Sequence, residues 1–127
     1  MLLKEKDQEI LSECKKLLKE NPDIKKRKLH LISDLEKRLY YIKVWVITES
    51  QPLKALKNHD KRCFKGPSCF HLDHIVPISH GFYSKIPPEK IGHISNLRFI
   101  RSTVNMRKGH KLTTESHRVL KKLKRRR

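Results

Sequence analysis

Two short segments constrain this chain more than anything else in it. They are Leu72-Asp73-His74-Ile75-Val76-Pro77 and, about twenty residues later, Ser95-Asn96-Leu97-Arg98. Around each, apolar and polar residues alternate, the period of a strand with one covered face, so strands are predicted over Cys69–His74 and Asn96–Ile100. Between them stand Gly81, Pro87, Pro88 and Gly92. Residues 76–95 therefore read as a long loop, and loops of that length in compact domains usually carry function. Beyond the second strand, Ser102 or Thr103 can cap a helix beginning near Val104, and Gly109 can interrupt it. Thr113 or Thr114 can cap a last helix reaching Leu123. Strand, long loop, strand, helix is a ββα unit.

The first sixty residues are patterned differently. Leu3, Ile10, Cys14, Leu17 and Leu18 space an amphipathic helix over residues 2–20. Asn21-Pro22-Asp23 ends it and opens another, with Asn21 as N-cap and Pro22 at the first helical position. That second helix is expected from about Pro22 towards Thr48, with Ile24, Leu31, Ile32, Leu35, Leu39, Ile42 and Val46 inward. Tyr41 and Trp45 are expected in a core. Tyr40–Ile47 is rich in aromatic and β-branched residues, so the last turns could instead be a strand. Glu49-Ser50-Gln51-Pro52 breaks the chain before a short helix over Leu53–Asn58. The expected fold is α+β and mostly helical. Residues 1–59 form a helical region for DNA binding or dimerisation, and residues 60–127 form a core with a basic C-terminal helix and a frayed tail.

Thirty-one Lys and Arg against thirteen Asp and Glu give a net charge of +18. Such a charge repels itself, and a polyanion is its natural counterpart. Nucleic acid comes first. An anionic membrane surface is second, but the basic residues are spread along the chain and no segment has the apolar length to span a bilayer. Lys25-Lys26-Arg27-Lys28 reads either as a DNA-backbone contact or as a solvated face. Met1-Leu2-Leu3 runs directly into Lys4-Glu5-Lys6-Asp7 without an apolar stretch, so an intracellular, cytoplasmic location is expected. Three cysteines argue against a disulfide framework. Cys14 falls on the apolar stripe of the first helix. Cys63 and Cys69 read as a packed pair, with a disulfide or half of a structural zinc site as alternatives; zinc lacks the second pair it needs.

Asp73-His74-Ile75-Val76-Pro77, Ile94-Ser95-Asn96-Leu97-Arg98 and Asn105-Met106-Arg107-Lys108-Gly109 together resemble the HNH nucleases of the ββα-metal (His-Me finger) superfamily. The variant with Asn in the third position looks like that of RNA-guided CRISPR nucleases and of phage-encoded homing or junction-cutting enzymes. The resemblance covers residues 63–111. It implies a ββα-metal core, Asp73 and Asn105 as ligands of one divalent ion (Mg²⁺, with Mn²⁺ as alternative), His74 as general base and Asn96 as support of the loop carrying the histidine. Independently, Asp and Asn supply hard oxygen donors, and an imidazole can act as a base near neutral pH. Arg98, Arg101, Arg107 and Lys108 lie around the expected metal and are read as phosphate contacts.

The leading expectation is a DNA endonuclease acting on double-stranded or branched DNA. It nicks one strand per site, or cuts both as a homodimer. A ribonuclease on the same fold is a further option. A non-catalytic basic nucleic-acid-binding module is the alternative from another class. It accounts for the charge but not for the ordered Asp73-His74, Asn96 and Asn105.

Overall fold

The computed structural model describes residues 4–63, 66 and 68–125, with the side chains of residues 25 and 26 excepted. The fold is α+β and mostly helical, with a small two-stranded antiparallel sheet. Helix α1 spans Glu5–Glu20, with Glu5 and Asp7 in its first turn and Lys19 in its last, as the helix dipole favours. Asn21 closes α1, its backbone N–H (2.9 Å) and Nδ2 (3.0 Å) both donating to the Leu17 carbonyl, and it also opens the next turn at the expected position, its carbonyl accepting from the Ile24 N–H at 3.1 Å. Leu3 lies outside the described residues.

The long helix expected from Pro22 is broken. A 3-10 turn over Pro22–Arg27 is followed by Lys28 in a left-handed conformation (φ 53°), a second turn over Leu29–Leu31, and then α2, Leu35–Ser50. Asp34 starts α2 by accepting from the Lys37 N–H at 3.1 Å, a side-chain cap that holds the restart there. Leu31, expected inward, is exposed. Tyr40–Ile47 is helical throughout. Local β propensity loses because α2 is packed on more than one side. Cys14, Ile24, Leu29 and Ile42 form one cluster, and Val44, Val76, Ile78, Ile86, Ile91 and Leu123 another. A third holds Leu53, Leu72, Leu97 and Phe99. Trp45 packs against all three. The apolar stripe of α1 packs on α2 through Ile10, Cys14, Leu17 and Leu18.

Beyond α2, the expected helix over Leu53–Asn58 is reduced to 3-10 turns over Leu53–Ala55 and His59–Lys61. Strand β1 (Phe70–His74) pairs antiparallel with β2 (Leu97–Arg101), so that Asp73 faces Arg98 and His74 faces Leu97. The intervening segment is not a bare loop. It carries α3 (Ile78–Tyr83), α4 (Pro88–Ile91) and a 3-10 turn over Ile94–Asn96. Gly92 permits this packing: a Cβ there would meet the Val44 carbonyl of α2 at 2.9 Å. Helix α5 follows β2 without a gap at Ser102–Lys108, earlier than expected and without a side-chain cap. Ser102 is used otherwise, its Oγ donating to the Gly66 carbonyl at 3.1 Å. Gly109, at φ 53°, ends α5. In α6 (Thr114–Arg125), Thr113 Oγ1 accepts from the Ser116 N–H at 3.1 Å, and Leu123 reaches the core, so the basic tail is helical to Arg125. Cys63 and Cys69 are joined by a disulfide, which replaces the expected packed pair.

Candidate functional site

The sheet delivers Asp73 and His74 to the end of β1, and α5 delivers Asn105 beside them. All three line one cleft of about 400 Å³. Behind it, Asn96 is fully buried and makes three hydrogen bonds: it accepts from the Val76 N–H (2.8 Å) and donates to the carbonyls of Val76 (3.1 Å) and Ile91 (2.8 Å). Ile75 donates to the Asn96 carbonyl at 2.8 Å. The turn leaving His74 is thus fastened to the start of β2 by one side chain and one backbone group. Ser116 Oγ holds the same turn from α6, donating to the Ile75 carbonyl at 2.6 Å.

His74 is buried at 6% exposure and contacts α2. Its ring stands edge-on to Trp45, with centroids 4.8 Å apart, and its Nε2 lies 2.9 Å from Thr48 Oγ1. Thr48 has a single hydroxyl proton and donates it to the Val44 carbonyl at 2.7 Å. Thr48 must therefore accept from His74, which puts the imidazole proton on Nε2 and the lone pair on Nδ1. Burial, and then the positive charges of Lys108 and Arg27, push the pKa of His74 down from 6.5 to about 3. The ring is neutral at pH 7.

Asp73 is buried between two cations. Lys108 Nζ donates to its Oδ1 at 2.9 Å and to the His74 carbonyl at 2.8 Å, and Arg98 Nε donates to its Oδ2 at 2.9 Å. Arg98 also pairs with Glu115. Lys108, expected as a phosphate contact, is thus withdrawn from the surface, its side chain 5% exposed. Arg98 is largely occupied as well. Arg101 and Arg107 are exposed and stand available to a phosphate backbone. Asn105 Nδ2 lies 3.3 Å from His71 Nδ1. Its Oδ1 has no hydrogen-bond partner among the described residues.

Sequence reasoning gave Thr48 no part in the site and left Arg27 as one member of a basic run. Arg27 stacks over Trp45, 3.8 Å from the ring centroid, and lines the cleft. Among the described residues, no three His, Cys, Asp or Glu side chains converge as a metal cluster. No described helix is long and apolar enough to cross a membrane. No family model matches the chain, and no curated protein or solved structure matches it.

Proposed function

We propose that this protein is a metal-dependent DNA endonuclease of the HNH type, with β1, β2 and α5 as its ββα-metal core. The observation that carries this reading is that Asp73, His74 and Asn105 line a single cleft in a chain of net charge +18. The donor set suits a hard divalent ion, Mg²⁺ or Mn²⁺. Asn105 offers an unpartnered carboxamide oxygen. Each Asp73 oxygen accepts one hydrogen bond and keeps a second lone-pair site. An ion held by these two residues would supply Lewis-acid stabilisation of the scissile phosphate.

The geometry supports the following parts for the protein's own residues. His74 presents the Nδ1 lone pair to take a proton from the attacking water, while Thr48 and Trp45 hold the ring in one orientation. Asn96 fixes the turn behind it. Lys108 and Arg98 hold the Asp73 carboxylate in place, and Arg101 and Arg107 hold the strand by charge. Hydrolysis leaves a 5′-phosphate and a 3′-hydroxyl.

One observation favours a second reading, a binding module without catalysis: the Asp73 carboxylate is already neutralised by Lys108 and Arg98. Supercoiled plasmid with Mg²⁺ or Mn²⁺ separates the two. Conversion to open circle that stops in EDTA and in His74→Ala is the expected result, and a linear product would indicate paired sites in a homodimer. Plasmid that is retarded but uncut with both metals overturns the nuclease reading in favour of the module.

A further inference from the structure

Beside the cleft lies a second cavity of about 270 Å³, and Arg27, Trp45, Leu72 and Asn105 line both. Its wall is cationic. Arg62 grips Glu49 with two bonds, Nη1 to Oε1 at 2.9 Å and Nη2 to Oε2 at 3.2 Å. Arg27 reaches the same carboxylate through one bond only, Nη2 to Oε2 at 3.2 Å. Two guanidinium groups thus share the Glu49 carboxylate, their side chains 15% and 20% exposed. His71 adds to the wall: with Nδ1 accepting from Asn105 Nδ2, its ring proton is on Nε2.

We propose that this second cavity seats a backbone phosphate of the nucleic-acid strand, adjacent to the phosphate that is cut, with Arg27 as its principal ligand. The assignment rests on the nuclease reading for the identity of the neighbouring cleft. Arg27 is suited to the task because Trp45 holds its guanidinium by stacking, so a planar donor fork is oriented before any ligand arrives. Burial disfavours the Arg27 cation, Glu49 and Asp23 offset part of that and the charge of Arg62 adds to it, and an anion in the cavity would favour the charged form. The basic run that contains Arg27 thereby acquires a specific role for one of its members. Because Arg62 alone engages both Glu49 oxygens, removing Arg27 leaves that pair closed.

The test uses Trp45, the only tryptophan in the chain, as reporter. The full-length protein in EDTA, where cleavage is blocked, is titrated with a short DNA duplex and separately with inorganic phosphate, following Trp45 emission across a series of salt concentrations. The duplex should change the emission. Arg27→Gln should weaken duplex binding about tenfold and lower the slope of log K against log salt by about 0.9, one phosphate contact's worth. Arg27→Lys should restore the slope. A melting temperature for Arg27→Gln close to wild type confirms that the fold survives. Unchanged affinity and slope in Arg27→Gln overturn the proposal. An emission change with inorganic phosphate but none with duplex overturns the strand assignment in favour of a free-anion site. If plasmid is cut in a metal- and His74-dependent way while Arg27→Gln binds normally, the subsite alone fails. If Arg27-dependent binding is found and no metal supports cleavage, the nuclease reading fails and the phosphate seat stands.

Discussion

Asn96→Ala deletes three hydrogen bonds at a position with no solvent access. Each loss leaves a buried backbone group of Val76 or Ile91 short of its partner, at about 1–3 kcal/mol apiece. The three share one side chain, so their costs overlap, and a total of about 3–5 kcal/mol is expected. A chain of this size has about 5–15 kcal/mol of stability in all, so the variant should melt about 12–20 °C lower. Alanine also opens a cavity, and Asn96→Asp separates the two effects. Aspartate keeps the volume and the acceptor for the Val76 N–H. It replaces the donating nitrogen with an oxygen facing two carbonyls, and should cost at least as much at pH 7. Urea unfolding followed by Trp45 emission, in EDTA, measures both variants against wild type. If both fall within about 1 kcal/mol of wild type, the side chain does not hold the turn behind His74, and the argument from buried hydrogen bonds is wrong.

Three further outcomes are expected. Asn105→Ala should raise the Mg²⁺ or Mn²⁺ concentration needed for half-maximal cleavage, and an unchanged metal requirement would remove Asn105 from the ligand set. Lys108→Met takes away an ammonium 2.9 Å from Asp73, so the variant should be less stable in EDTA yet gain more thermal stability from added Mn²⁺ than wild type does; equal gains would show that Lys108 and metal do not compete. In EDTA, the unfolding free energy should fall as pH drops from 6.5 towards 3, by about 1.4 kcal/mol per unit. The sign follows from His74, whose folded pKa lies below its unfolded value: the neutral ring stabilises the fold above pH 6.5, and that contribution is lost on acidification. His74→Gln should flatten this part of the profile, and an unaltered profile in that variant would refute the assignment.

Sequence patterning located β1, β2, α5 and α6 to within a few residues, because alternation, the Thr113 cap and Gly109 act over short range. The segment 76–95 reads as a loop where it is partly helical, for a tertiary reason. Gly81 and Gly92 look like loop punctuation, but Gly81 lies against Tyr40 and Ile91, and Gly92 against Val44. Glycine serves close approach there, and nothing local distinguishes that from a turn. The same limit applies to charge. Lys108 and Arg107 are adjacent and chemically alike, yet helical geometry turns one into the core onto Asp73 and leaves the other in solvent. Thr48 stands 26 residues before His74, with no motif to mark it.

The placement of α2 bears on what the Asp-His pair can do. In the strand pair alone, His74 would face solvent and titrate near its ordinary value. Its tautomer is set by Thr48 and its ring is covered by Trp45, both on α2, and Arg27, whose charge adds with that of Lys108 to the effect of burial, reaches the same cleft from the turn before it. The first fifty residues therefore act as one wall of the site as well as an extension of the fold. This also accounts for stability at an apolar content of 36%: Trp45 ties three small clusters together, so each side chain buried on α2 supports both halves of the chain. Trp45→Ala should consequently weaken the fold as a whole and expose the ring of His74 at the same time, coupling stability and site chemistry through one residue.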